Sequence, residues 1–194
     1  ILKGISTIFE TGKTNLIIGQ SGSGKTVLLK SLLGIHTPES GQICFDGRVY
    51  SELDKNEKRD LRTEIGMVFQ GSALFDSMTV AENVGFPLRM FTNDNNAKIK
   101  ERVDFVLERV ALIDAHTKLP SQISGGMQKR VAIARAIVNR PKYLFCDEPN
   151  SGLDPNTSIL IDNLIKEITE EYDITTVINT HDMNSVMEIG DNIL

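Results

Sequence analysis

The 194-residue sequence has no tryptophan, only two cysteines, no long apolar run and no surplus of positive charge, and each shortage excludes a class of protein. Two cysteines cannot build the disulfide framework that replaces a hydrophobic core in small secreted domains. Cys44 and Cys146 stand inside apolar runs, at 43–45 and 144–146, and read as reduced core residues of an intracellular protein. No stretch approaches the roughly 18 consecutive apolar residues of a membrane-crossing helix. The N-terminus also lacks the basic and apolar regions of a signal peptide, so the chain is expected to reach a membrane only through a partner. With 21 Lys and Arg against 26 Asp and Glu, the net charge of −5 argues against a protein built to coat nucleic acid, although a local basic patch stays open. Neither a repeat nor a low-complexity tract is present.

Hydrophobic residues make up 40% of the chain. A chain of this length buries roughly 70% of its unfolded surface without help from a metal or disulfide, which suits one globular unit or a core with an inserted lobe. Short β-rich apolar runs alternate with longer helical patterns, as in βαβ units around a mostly parallel sheet. Strands are predicted over 14–19, 42–45, 65–69, 143–147 and 175–179, and three of them are apolar almost throughout, as when helices cover both faces of a sheet. Between 71 and 140 the sequence becomes helical. Over 97–112, Ile99, Val103, Val106, Leu107 and Val110 share one face, with Lys100, Glu101, Asp104 and Glu108 on the other. A second helix is predicted over 126–139, with Met127, Val131, Ala134 and Val138 in one stripe and Pro141 just beyond. Residues 92–96 are polar and turn-prone, an exposed loop. The expected fold class is α/β: one domain over 1–194, with an α/β core from 1–70 and 141–194 and a helical subdomain inserted over 71–140.

Gly19-Gln20-Ser21-Gly22-Ser23-Gly24-Lys25-Thr26 satisfies the P-loop pattern, two glycines separated by four residues and followed by Lys and Thr. An apolar strand enters the loop and a helix over 27–33 leaves it. The glycines let backbone N–H groups close around phosphate oxygens, and the helix N-terminus adds positive potential. Lys25 is suited to bridge β- and γ-phosphates, and the Thr26 hydroxyl to hold Mg²⁺. The alternative is a glycine-rich turn that merely caps a helix. Asp147 and Glu148 close a buried strand, and ligands of α/β sheets bind beyond the carboxyl ends of strands. There Asp147 is placed to reach Mg²⁺, and Glu148 to take a proton from an attacking water as general base. An acidic pair at a strand end is equally able to cap a helix.

The segment Ile123-Ser124-Gly125-Gly126-Met127-Gln128 precedes a helix and on its own reads as a serine N-cap with an entry turn. Ser124 lies 23 positions before Asp147, with the P-loop far upstream, and this order resembles the ATP-binding cassette (ABC) ATPases. The resemblance covers essentially the whole chain and implies a P-loop NTPase with a RecA-like core and an inserted helical subdomain. It implies that Ser124, Gly125, Gly126, Met127 and Gln128 form the signature that binds the γ-phosphate of ATP held by a second subunit. Gln70 corresponds to the Q-loop glutamine that touches Mg²⁺ or water and links core to helical lobe. Ser151, Gly152, Leu153 and Asp154 correspond to the D-loop, and His181 to the switch histidine near the γ-phosphate. Taken singly, His181 and Gln70 read as an ordinary half-buried histidine and a strand-end glutamine. The resemblance further implies that two copies pack head to tail around two ATP molecules and separate on hydrolysis. Met127 replaces the commoner glutamine of the signature. The aromatic residue that usually stacks on adenine would precede Ile1, and 193–194 begin another strand, so both ends are expected to be truncated.

Only one cassette is present, with Ser124 98 positions after Thr26. Chromosome-maintenance relatives place long coiled coils between these motifs and translation-factor relatives fuse two cassettes. The chain is instead similar to separate cassettes that dock under a permease, most often in bacteria. Residues 71–89, with 124–127, are similar to the Mla/Mce-associated cassettes that move phospholipid and are known for solvent resistance and toluene tolerance. Methionine and polar amino-acid importers share the V-x-E-N-V rhythm at 80–84, so an importer of that type and a soluble, non-transport ABC ATPase remain alternatives. The implied partners are a second copy, a permease and an Mce-type lipid-binding protein, with no nucleic acid, and the implied place is the cytoplasmic face of the cell membrane. Leu74 and Phe75 either fill the contact between core and helical lobe or line a groove for a permease helix.

Overall fold

The computed structural model describes residues 2–20 and 22–194. Along the chain come β1 (Thr14–Ile18), α1 (Lys25–Leu32), β2 (Cys44–Phe45), β3 (Arg48–Val49), α2 (Lys55–Thr63), β4 (Ile65–Val68), α3 (Val80–Phe91), α4 (Asn96–Arg109), α5 (Gly125–Ile137), β5 (Tyr143–Asp147), α6 (Pro155–Glu171), β6 (Thr175–Thr180), α7 (Met183–Ile189) and β7 (Asn192–Ile193). Five strands form one parallel sheet in the order β4-β5-β6-β1-β7. Each crossover between its strands carries at least one helix, as parallel pairing requires.

Alternation along each strand divides the core. Leu16, Leu144, Cys146 and Ile178 turn to one face, where Ile161, Ile165 and Ile168 of α6 and Val186 and Ile189 of α7 cover them. Ile17, Tyr143, Phe145 and Val177 turn to the other, against Leu29 of α1, Phe45 and Leu61 of α2. Both faces are dry, which is why these strands read as continuous apolar runs. The apolar interior continues from the first face into the helices: Val84 and Leu88 of α3, Ile99, Val103, Val106 and Leu107 of α4, and Val131 and Ile133 of α5 belong to the same cluster. Each such side chain contributes roughly 1.5–3 kcal/mol by leaving water. The α/β class and the helical region after 71 agree with the sequence pattern.

Several boundaries move for local reasons. The stretch 42–45 is not part of the main sheet. Cys44–Phe45 pairs antiparallel with Arg48–Val49 around Asp46 and Gly47, both in the left-handed region at φ 48° and 78°, the two-residue hairpin signal that Asp-Gly carries. The hairpin turns Phe45 inward and Cys44 outward, so Cys44 is exposed rather than a core residue, whereas Cys146 is buried. The helix over 97–112 ends at Arg109, just before Ala111 turns left-handed, and the helix over 126–139 ends at Ile137, before left-handed Arg140 and then Pro141. Asn95 caps α4 by accepting from the Lys98 amide, leaving 93–95 as an exposed loop. Among the described residues no helix is long and apolar enough to cross a membrane.

Candidate active site

Parallel strands end at one edge, so the segments after β1, β4, β5 and β6 converge there. The loop after β1 is shaped by glycine: Gly22 has φ 79° and Gly24, preceding α1, has φ 106°. A Cβ on Gly19 would stand 2.8 Å from the Ser23 hydroxyl. The Ser23 amide donates to the Gln20 carbonyl at 3.1 Å. Ser21 lies outside the described residues. Among the described residues no side chain caps α1, and no acid occupies its first turn, so its end amides keep their partial positive charge. Lys25 is buried, and its ammonium donates to the carbonyls of Gly19 at 2.8 Å and Gln20 at 3.2 Å, folding over the loop.

Beside the loop, Thr26 donates to Asp147 Oδ1 at 3.4 Å, and Asn179 Nδ2 donates to the same oxygen at 2.6 Å and to Thr26 Oγ1 at 3.3 Å. Asn179 Oδ1 is buried with no partner among the described residues. A hydroxyl and a carboxylate side by side, with an unused carbonyl oxygen close at hand, form an all-oxygen donor set suited to a hard cation such as Mg²⁺.

Glu148 has φ 47°, a left-handed backbone that costs roughly 1–3 kcal/mol for a non-glycine residue and that surrounding structure must impose. Its amide is tied to the Asn179 carbonyl at 2.8 Å. Its carboxylate meets His181 Nδ1 at 2.8 Å and accepts from Gln70 Nε2 at 3.3 Å, and Gln70 also donates to the Ser151 hydroxyl at 3.3 Å. Three strand ends thus bring Gln70, Glu148 and His181 together.

The 124–128 segment sits elsewhere, at the start of α5. Ser124 caps that helix by accepting from the Met127 amide at 3.3 Å, and Gln128 donates to the Pro120 carbonyl at 3.0 Å. Met127 packs against the main core. A Cβ on Gly126 would stand 2.7 Å from Thr157 Cγ2, and one on Gly125 3.8 Å from Leu153 Cδ2, so this turn lies over residues 151–157. There Gly152 has φ 79°, and Asp154 caps α6 by accepting from the Thr157 hydroxyl at 2.6 Å and its amide at 3.1 Å. Those bonds hold the Asp154 carboxyl below its ordinary value.

Sequence reasoning missed residues that act through these. Asn179 was visible only as the polar end of an apolar strand. On α5, Lys129 donates to the Gln70 carbonyl, and Arg135 donates to those of Ser72 and Ala73 at 2.7 Å each. Ser72 and Ala73 are left-handed, and burial lowers both cations' pKa, the Glu148 charge partly restoring that of Lys129. Two cations within a largely buried helix were the available signal. Asn150, Asp162 and Ser185 form a further buried cluster, with no signal in sequence spacing.

A family model described as "ABC transporter" matches residues 2–151. The chain is 39% identical over 196 residues to the Probable ribonucleotide transport ATP-binding protein mkl of Mycobacterium tuberculosis, covering 100% of this chain and 54% of that protein. It is 42% identical over 184 residues to the Methionine import ATP-binding protein MetN 1 of Pseudomonas syringae, covering 95% and 55%. The chain therefore spans about half the length of the curated relatives it matches. A dimeric, post-hydrolysis ATP-binding cassette bound to ADP and Pi superposes with a TM-score of 0.86 at 32% identity, over 100% of this chain and 88% of that one.

Proposed function

The chain belongs to the ABC transporter family, and on that premise we propose that it is the ATP-binding and ATP-hydrolysing part of a transporter whose membrane permease is a separate partner. The observation that carries this reading is the meeting of Thr26, Asp147, Gln70, Glu148 and His181 at one sheet edge beside a glycine-shaped loop. Residues 1–70 and 141–194 form the catalytic core, and 71–140 the helical subdomain.

ATP enters with its phosphates against the amides of 19–26 and the N-terminus of α1. Lys25 leaves the Gly19 and Gln20 carbonyls for β- and γ-phosphate oxygens. Thr26 and Asp147 would hold Mg²⁺, with Gln70 reaching it directly or through water, and a bound ion would supply positive charge against the negative charge that develops on the phosphates. Glu148 takes a proton from the water that attacks the γ-phosphorus, the bond to the bridging oxygen breaks, and ADP and phosphate leave. His181 holds the Glu148 carboxylate in place and faces the γ-phosphate.

The 124–128 segment serves the ATP of a second copy. The Ser124 hydroxyl, the Gly125 and Gly126 amides and the N-terminus of α5 close over its γ-phosphate, while Ser151, Gly152, Leu153 and Asp154 lie along the same face. Two copies pack head to tail, and hydrolysis removes the contact that holds them. The dimeric state of the superposing cassette supports this arrangement.

An apolar groove of about 290 Å³ runs between β4 and α3, lined by Met67, Phe69, Phe75, Phe86, Met90 and Phe91 among others. Phe75 and Phe86 pack with their rings tilted at 52° and their centroids 4.8 Å apart. The two adjacent residues divide the earlier alternatives, since Leu74 packs into the core and Phe75 lines the groove. Asn83 fixes the rim by bonding the Phe75 amide at 2.8 Å and the carbonyls of Phe75, Met78 and Thr79 at 3.1 Å each. A short permease helix fits this groove and places the chain on the cytoplasmic face of the membrane. Residues 71–89 and 124–127 support phospholipid as cargo, in an Mla/Mce-type system. The identity to a methionine import protein supports an amino-acid importer as the second reading.

Mass spectrometry of proteins and lipids that copurify with the tagged protein from its own membranes tests this. A permease with an Mce-type lipid-binding subunit is expected. A permease with an amino-acid-binding protein would transfer cargo to the second reading, and soluble partners alone would end the transport assignment.

A further inference from the structure

Glu148 and His181 touch at a partly solvated edge: the histidine side chain is 64% exposed and the carboxylate 18%. A single hydrogen bond in such a place contributes about 0.5–1.5 kcal/mol and is easily traded for water. Yet Glu148 holds a strained backbone, and His181 lies on the short connection between β6 and α7. The Glu148 amide is joined to the Asn179 carbonyl at the strand ends, and a second, buried tie lies beyond them.

A buried cluster lies two residues after Glu148 and four after His181. Asn150, Asp162 and Ser185 are 7%, 3% and 2% exposed. Asn150 Nδ2 donates to Ser185 Oγ at 2.7 Å and to the two Asp162 oxygens at 3.2 and 3.4 Å. One amide therefore joins the segment after β5 to the first turn of α7, and Asp162, on the inward face of α6, closes the contact. Its neighbours along that face are Ile161, Ile165 and Ile168, so packing alone would favour another aliphatic side chain here. Burial pushes the Asp162 carboxyl up to about 6, hydrogen bonds from Ser185 and Asn150 hold it back, and the charges of Asp182 and Glu188 raise it further. Among the described residues no cation is paired with this buried acid, and a group so costly to bury without an ion partner calls for a role beyond packing.

We propose that Asn150, Asp162 and Ser185 are positioning residues for ATP hydrolysis, a buried tie that fixes the Glu148 segment against the His181 segment. The inference rests on the roles given above to Glu148 and His181. It assigns the three residues no contact with nucleotide. Their removal lets the general base drift by a fraction of an ångström, which is enough to slow chemistry without loosening ATP.

The test is steady-state ATP hydrolysis by the purified full-length protein, with folded fraction measured in parallel. Asn150→Ala and Ser185→Ala are each expected to lower kcat roughly 10-fold, with KM for ATP changed less than about twofold. The double variant should lose no more than the worse single variant, because both break one tie. Ser185→Thr, which keeps the hydroxyl, should restore kcat. Unchanged kcat, effects that multiply, or a loss matched by loss of folded protein would overturn the proposal. Glu148→Gln separates the two levels. If it hydrolyses ATP normally, the catalytic reading itself fails, whereas an inactive Glu148→Gln beside a fully active Asn150→Ala sinks only the positioning role.

Discussion

Two helix N-termini carry the glycine-rich segments of this protein, and they are built in opposite ways. At α1 the residue before the helix is Gly24 in a left-handed conformation, no side chain among the described residues satisfies the first amides, and Lys25 folds back over the loop. At α5 the Ser124 hydroxyl already caps the Met127 amide, and the glycines press on residues of the same chain. Both helices lack an acid in the first turn, so both present positive potential. The first is open at its amides, whereas the second is already capped and packed on its own chain, so on the proposed reading it meets a nucleotide only when a second copy brings one.

The largest expected effect separates holding ATP from breaking it. Glu148→Gln removes the base but leaves the Thr26 and Asp147 oxygens and the α1 N-terminus untouched, so turnover should fall by roughly 10²–10⁴ while ATP binding persists. Because the γ-phosphate then survives, ATP should drive the variant into a stable dimer, seen by size-exclusion chromatography with light scattering. ATP-loaded variant that stays monomeric would break the comparison, since the second cradle would then have no ligand to meet.

A smaller effect divides the two glycines of the second segment. The missing Cβ of Gly126 points at Thr157 of its own chain, so Gly126→Ala overpacks that contact, at about 1–3 kcal/mol, and slows turnover about 10-fold. Thr157→Ser removes the opposing methyl, keeps the hydroxyl that bonds Asp154, and should restore the activity. Gly125 has room for a methyl group within the chain, so Gly125→Ala should leave folding and ATP binding unchanged and weaken only ATP-driven dimerisation. Rescue of Gly125→Ala by Thr157→Ser would contradict that division.

The same contrast shows what sequence can and cannot announce. The open cradle was legible because its chemistry is local: glycines, lysine and threonine at fixed spacing after an apolar strand. The site residues after β4, β5 and β6 were legible through their order in the chain. The strand predicted over 42–45 is instead half of a hairpin because its apolar run of three residues is followed by the Asp46-Gly47 turn that folds it back. Helix α6 went unpredicted although Asp154-Pro155 carries its start signal, an N-cap followed by proline at the first position. Asn150, Asp162 and Ser185 gave no sign, since the loop after β5 and the helices α6 and α7 bring them together and no spacing in the chain records it. Lys129 and Arg135 stood in plain view on α5, but the backbone carbonyls they grip exist as targets only after β4 ends and the chain turns left-handed at Ser72 and Ala73.

The smallest expected effect concerns stability and probes the cost of holding one side of the open site in place. Asp162 titrates near 6 when folded and near 4 in an unfolded chain, so between those values the folded state binds more protons. Stability therefore rises as pH falls from about 6 to 4 and is reduced by the charged carboxyl above 6. Asp162→Asn removes the charge at nearly the same size and keeps one acceptor oxygen for the Asn150 amide. Its stability relative to the parent should be higher by about 1–2 kcal/mol at pH 8, and the gain should vanish near pH 4, as read from urea unfolding at each pH. Other carboxylates titrate in this range in both proteins and cancel in the difference. A gain that persisted at pH 4 would trace to packing instead of charge. A variant destabilised at pH 8 would mean that the Asn150 and Ser185 bonds to the carboxylate outweigh its desolvation, making the tie a source of stability rather than a cost borne for position.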